Sequence, residues 1–185
     1  MNDLTSRKKI TQFLNELLEK DRLIGVGNYW AKEVTLDYGK SNVRRVDYMQ
    51  FKPVNQLSID GIEKGIFICY EIKSCVEDFL SGYGQNFIGE KNYLVMTMDT
   101  YRKLNEKGEI IKLPYNVGIL VSIPLSRKYK DNRLVEEYKQ PTIIDIDNSS
   151  VKDWYLEVIK QSHQTYRQKS ITELLFCMLR SKHKH

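Results

Sequence analysis

The chain has 185 residues, 41% of them hydrophobic and 29% charged, with a formal net charge of +5. That length fits one domain with a substantial core, and the composition is that of a globular chain, not a disordered or fibrous one. No apolar run approaches the roughly 18 residues of a membrane span, and the opening MNDLTSRKKI lacks the apolar stretch of a secretory signal.

Three cysteines (Cys69, Cys75, Cys177) show no metal-ligand spacing, and their odd number argues against a disulfide framework. They read as free thiols of a cytoplasmic protein. Residues 1–100 carry 13 Lys and Arg against 14 Asp and Glu, whereas residues 101–140 carry 9 against 5, so the positive charge lies in the back half. A basic back half permits a nucleic-acid partner without requiring one.

The first predicted element is a helix from Leu4 to Lys20, because Ile10, Phe13, Leu14, Leu17 and Leu18 recur on one stripe, with Glu16 and Glu19 off it. A Gly-punctuated connection follows, then a hairpin. Its first strand, Tyr29 to Asp37, places Trp30, Val34 and Leu36 on one face and Glu33 and Thr35 on the other. Its second, Val43 to Phe51, places Val43, Arg45, Asp47, Met49 and Phe51 together. An aspartate among Val, Met and Phe must be paired, metal-bound or at a cleft, since burying a lone carboxylate is costly.

Gly65 to Lys73 is apolar and β-branched enough for a central strand. Glu71 and Lys73 fall on the same face at its end. Ser74-x-x-Glu77 then has the form of a capping box, with a helix starting near Cys75. Two further strands are expected at Asn92 to Thr97 and Asn116 to Ile123, with a helix from Asp99 to Glu106 stopped by Gly108. Pro124 to Gln140 reads as a basic surface loop, and Thr142 to Asp145 as a short strand. The chain is expected to end helically over 150–181, with starts at Ser150-x-x-Asp153 and Ser170-x-x-Glu173. The element order predicts an α/β domain with a mixed central sheet flanked by helices.

Asp47 on one strand and Glu71-x-Lys73 on the next can converge at neighbouring strand ends. Two carboxylates that close suit a hard divalent cation such as Mg²⁺ or Mn²⁺. A nearby lysine offsets their repulsion, polarises water and stabilises charge on a phosphate. The three histidines (His163, His183, His185) form no site, and there is no P-loop, Rossmann fingerprint or Ser-His-Asp constellation.

Asp47 followed by Glu71-x-Lys73 resembles the signature of the PD-(D/E)xK nuclease superfamily. The stretch YEIKSCVEDFLSGYGQNFIGEKNYLVM looks like the MmcB-like DNA-repair branch, whose members read Glu-Ile/Val-Lys-Ser-x-x-x-Asp-Phe after the strand. The resemblance spans roughly Trp30 to Val121, with Val46 in place of the proline of the name motif and Cys75 in place of a second serine. It implies a single restriction-endonuclease-like domain over 1–185 with its core at 30–123, and metal-dependent hydrolysis of nucleic-acid phosphodiesters, DNA above all, in repair or mobile-element biology.

Carried over residue by residue, Asp47 and Glu71 hold Mg²⁺ or Mn²⁺ and the Ile72 carbonyl completes the metal shell. Lys73 acts on the water and the scissile phosphate. Glu33 is the candidate for an additional upstream glutamate, with Glu16 and Glu19 as alternatives, and Gln85 is a candidate phosphate contact. Arg127, Lys128 and Lys130 are candidate nucleic-acid contacts on the basic loop. A homodimer is compatible with this family, many of whose members cut as dimers. The competing expectation is a non-catalytic module that binds DNA or a protein on the same fold, with no membrane role in either case.

Overall fold

The computed structural model describes residues 3–145 and 147–182; His183 and His185 lie outside them. Six strands form one sheet in chain order: β1 (Tyr29–Leu36), β2 (Arg44–Lys52), β3 (Ile66–Lys73), β4 (Lys91–Thr97), β5 (Val117–Pro124) and β6 (Trp154–Lys160). Pairing is antiparallel for β1–β2–β3, parallel for β3–β4–β5 and antiparallel for β5–β6. Parallel neighbours require crossovers. Here α3 (Val76–Leu80) joins β3 to β4, and α4 (Met98–Glu106) joins β4 to β5. Helix α2 (Ile59–Glu63) sits in the connection between β2 and β3.

Helices cover both faces of the sheet. The predicted stripe of α1 (Asp3–Leu18) buries Phe13, Leu14, Leu17 and Leu18 against Tyr48, Tyr70, Ile72, Val95 and Leu120. On the opposite face, α6 (Ile171–Lys182) packs Leu174, Cys177 and Met178 onto Met49, Phe51 and Phe67, while Leu104 of α4 packs near Leu94, Met96 and Ile119. The three cysteines are unpaired. Among the described residues, no helix is long and apolar enough to cross a membrane.

Several sequence expectations change in three dimensions. Val151 opens a single 3-10 turn (Val151–Asp153), and Trp154 begins β6, not a helix. The residues WYLEVIK satisfy both periods. In the strand, Trp154, Leu156 and Val158 meet the α1 side while Tyr155 and Ile159 meet the α4 side. Aromatic and β-branched side chains and an available β5 edge decide for the strand. Only the second predicted start survives, where Ser170 Oγ accepts the Glu173 N–H at 3.1 Å as the cap of α6.

The expected loop at 124–140 contains a 3-10 turn (Leu125–Arg127) and α5 (Arg133–Lys139). Glu137 is fully buried there because Arg127 Nε lies 3.0 Å away and Thr142 donates through both N–H and hydroxyl. Thr142 to Asp145 joins no strand; Ile144 instead fills the core under α1.

The face expected to hold Trp30, Val34 and Leu36 is also broken. Trp30 packs on the α1 side, whereas Val34 and Leu36 pack on the α6 side. Glu33, between them, has φ 51°, a left-handed conformation that interrupts the strand alternation. In β2, Val46 takes the core place expected for its neighbours, and Val43 lies exposed before the strand.

The extended segment before α6 is tied to the sheet through a buried acid. Glu90 accepts the Phe67 N–H at 2.7 Å with one carboxylate oxygen and Arg167 Nη2 at 2.8 Å with the other, and Arg167 also donates to the Gly65 carbonyl. Removing one partner of such a buried pair strands the other. Arg167→Ala is expected to destabilise the fold by about 2–3 kcal/mol, measured by urea denaturation. An unchanged midpoint would show that this tether carries no stability.

Candidate active site at the fork between β2 and β3

The site forms where regular pairing stops. The β1–β2 ladder pairs Lys32 with Tyr48 and Val34 with Val46, leaving Glu33 opposite Asp47 without pairing. The β2–β3 ladder ends at Tyr48 and Tyr70. Beyond it the Asp47 carboxylate replaces a strand partner, and Oδ2 accepts the Ile72 N–H at 2.8 Å. The N–H and C=O of one strand residue point to the same edge. The Ile72 carbonyl therefore also faces this fork.

Glu71 and Lys73 end β3 on one face, as their spacing predicts, and both are 3% exposed. A surface ion pair at a frayed strand end is thereby excluded. The Lys73 ammonium donates to the Tyr83 carbonyl. Asp47 and Glu71 interact side chain to side chain, and Glu71 Oε1 is buried with no hydrogen-bond partner. Burial, then the charge of Asp47, pushes the Glu71 carboxyl up to about 9, although Lys73 opposes the shift. Burial likewise raises Asp47, against the Ile72 hydrogen bond and Lys73.

The loop after α3 closes over these groups. Gly84 has φ +73°, and a Cβ there would lie 2.7 Å from Glu71 Oε2 and 3.6 Å from Lys73 Nζ, so only glycine permits this approach. Asn86 Nδ2 pins the loop to the Arg45 carbonyl at 2.9 Å. At the other end of α3 the expected Ser74–Glu77 box is not made. Ser74 donates to Asp78 Oδ2 through its N–H at 3.0 Å and its hydroxyl at 3.1 Å, and Cys75 is the N-cap without a side-chain bond. Glu77 instead accepts from its own backbone and from Cys75.

The result is a cleft of about 570 Å³ with Asp47, Glu71, Ile72 and Lys73 within it, Arg7 on the α1 side, Arg45 and Glu33 on the hairpin side, and Tyr83 and Asn86 on the loop. The other sequence candidates fall elsewhere. Glu33 borders the cleft, but its carboxylate pairs with Arg45 at 2.9 Å and is 57% exposed, so it does not join Asp47 and Glu71. Glu16 is exposed and hydrogen-bonds Gln12, while Glu19 accepts from Tyr48 and pairs with Lys32. Gln85 donates to the Phe79 carbonyl at 2.8 Å and holds the loop to α3. Arg127 pairs with Glu137, Lys130 lies 3.9 Å from Glu136, and Lys128 sits over the rings of Tyr129 and Tyr155; none of the three lines the cleft.

Among the described residues, no group of three or more His, Cys, Asp or Glu is placed to hold a metal ion. The donors available are the two carboxylates and the Ile72 carbonyl. An all-oxygen set with an unsatisfied buried carboxylate oxygen fits a hard cation of the Mg²⁺ class, which takes one or two carboxylates and completes its shell with water and phosphate.

The raised Glu71 carboxyl has a consequence for stability. Its ordinary value is 4.5 and its value in the fold is about 9, so between the two the folded chain keeps a proton that the unfolded chain releases. The stabilisation is complete below about pH 4.5 and is lost as pH rises toward about 9. The metal-free protein should therefore lose stability in chemical denaturation between about pH 5 and about pH 8. Glu71→Gln should flatten that dependence and be the more stable protein at the higher pH. Parallel profiles for the two proteins would show that Glu71 is not the group responsible.

No protein-family model matches the chain, and no curated protein matches it. Among solved structures, it is similar to the SPO1766 protein of unknown function from Silicibacter pomeroyi, with 14% identity and a TM-score of 0.49 over 99% of this chain and 97% of that one.

Proposed function

We propose that this protein is a divalent-metal-dependent nuclease of the PD-(D/E)xK type that hydrolyses nucleic-acid phosphodiesters, with DNA as its substrate. The observation that carries the reading is the half-buried Asp47 against the buried Glu71, with Glu71 Oε1 unpartnered, beside Lys73 at the floor of an open cleft. Two carboxylates this close, one buried and one half-buried, repel when both are ionised, and a bound cation relieves that repulsion.

Asp47 and Glu71, with the Ile72 carbonyl, are the residues that would hold Mg²⁺ or Mn²⁺. When bound, the cation neutralises charge on a phosphate oxygen and acidifies water. The chain supplies the rest. The Asp47 carboxylate is fixed by the Ile72 N–H, so its orientation precedes ligand binding. Lys73 uses one of its three donors on the Tyr83 carbonyl, which sets the position of the ammonium and leaves two donors for the attacking water and the phosphate. The Gly84 backbone closes one side of the carboxylates and limits solvent there.

One observation favours a second reading, a DNA-binding module without turnover: Glu33, a further carboxylate at the cleft, is turned to Arg45. Cleavage of single-stranded and duplex DNA with Mg²⁺ or Mn²⁺, beside an EDTA control, separates the two. Lys73→Ala is expected to lower cleavage at least about 100-fold, the scale of one electrostatic stabiliser, while metal titration by calorimetry stays near the parent. Asp47→Asn should weaken that titration. Full cleavage by Lys73→Ala would remove Lys73 from the chemistry, and DNA binding with no cleavage under any metal would favour the binding module.

A further inference from the structure

Asp78 belongs to the motif that follows the strand, yet it is neither one of the proposed cation ligands nor the cap expected for α3. Its two oxygens have different partners. Oδ2 takes both the N–H and the hydroxyl of Ser74, the residue immediately after Lys73. Oδ1 takes Arg7 Nη2 at 2.9 Å, across from α1. The carboxylate therefore joins the first helix to the corner from which Lys73 projects.

Arg7 itself borders the cleft, and its side chain is 42% exposed. A guanidinium has five N–H donors in a fixed plane. Its ion-pair partner among the described residues is Asp78, whose Oδ1 lies 2.9 Å from Nη2. The other cleft cations are differently placed. Arg44 is bound to Asp37 through both Nε and Nη2. Arg45 pairs with Glu33 through Nε and is 64% exposed at the rim. Lys73 sits on the floor against Tyr83. Arg7 is thus anchored to Asp78 while a large part of its side chain stays exposed at the cleft.

We propose that Arg7 is a substrate-binding residue that contacts a backbone phosphate neighbouring the scissile one, and that Asp78 is the positioning residue that aims it. This rests on the nuclease reading of the cleft. The anchor matters because an unrestrained arginine loses more side-chain entropy on binding than one already fixed at one end. The same carboxylate holds Ser74, so the phosphate contact and the lysine keep a common spacing. α1 thereby acquires a role beyond covering the sheet.

The test is equilibrium binding of a fluorescently labelled single-stranded DNA oligonucleotide in Ca²⁺ across a salt series, with cleavage kinetics in Mg²⁺ alongside. Arg7→Gln is expected to weaken binding about tenfold and to lower the slope of log affinity against log salt by about 0.7, the value for one phosphate contact on a single strand. It should raise KM with little change in kcat, since the contact is made in the ground state as well. Arg7→Lys should restore the salt slope and part of the affinity. Asp78→Asn should weaken binding less than Arg7→Gln and leave the slope near the parent's.

Wild-type affinity and slope in Arg7→Gln, with cleavage intact, would overturn the proposal while the nuclease reading stands. Equal losses in Arg7→Gln and Arg7→Lys would overturn it too, because they would mark a packing role. A parent protein that neither binds nor cuts the DNA would remove the nuclease reading and this contact together.

Discussion

The whole site depends on the fork where β3 leaves β2. Strand pairing supplies every backbone N–H with a partner, and a strand that departs must find substitutes. At Ile72 the substitute is the Asp47 carboxylate. This one hydrogen bond seals the opened ladder and draws an acid into the interior. It also brings that acid against Glu71, the residue before Ile72 on β3. A normal ladder through these residues would have kept Asp47 at a strand surface, where a carboxylate is hydrated and chemically ordinary.

The surroundings maintain that unfavourable proximity. The left-handed φ of Glu33 coincides with the gap in the first ladder opposite Asp47. The Gly82–Gly84 turn brings backbone where a side chain would collide with Glu71. The Tyr83 carbonyl anchors the Lys73 ammonium, whose charge opposes but does not overcome the effect of burial on the two acids. Backbone and glycine thus hold two acids and a lysine in one small volume without cancelling their charges. A protein optimised for stability alone would pair them or replace them with apolar residues. Stored electrostatic repulsion of this kind is how buried acid pairs come to prefer a proton or a cation.

The distribution of well-satisfied polar groups supports the same view. Two other buried carboxylates are closed by specific partners: Glu137 by Arg127 and Thr142, and Glu90 by Arg167 and the Phe67 N–H. Asp37 is held well below the usual carboxylate range by Lys169 and Arg44. The unpartnered Glu71 oxygen is therefore an exception within a fold that satisfies its other buried carboxylates. An orphaned buried carboxylate oxygen of this kind calls for a partner such as a water or an ion.

The sequence by itself determined the elements whose period had one solution. The α1 stripe, the apolar strand ending in Glu71 and Lys73, the α4 stop at Gly108 and the Ser170 cap all rest on local spacing and local hydrogen bonds. It also singled out Asp47, Glu71 and Lys73 as residues that can converge at neighbouring strand ends, although the face it gave Asp47 breaks at Val46. Only the tertiary structure decided the rest. WYLEVIK fits a helix and a strand equally well, and the open β5 edge chose the strand. Glu33 and Gln85 have the right residue types, yet Arg45 and the Phe79 carbonyl claim them. Arg7 lies far from the motif in the chain, and packing of α1 on the sheet brings it to Asp78. Spacing specifies which side chains share a face, but which charges meet is set by where strands part and helices land, and those are decided by long-range packing.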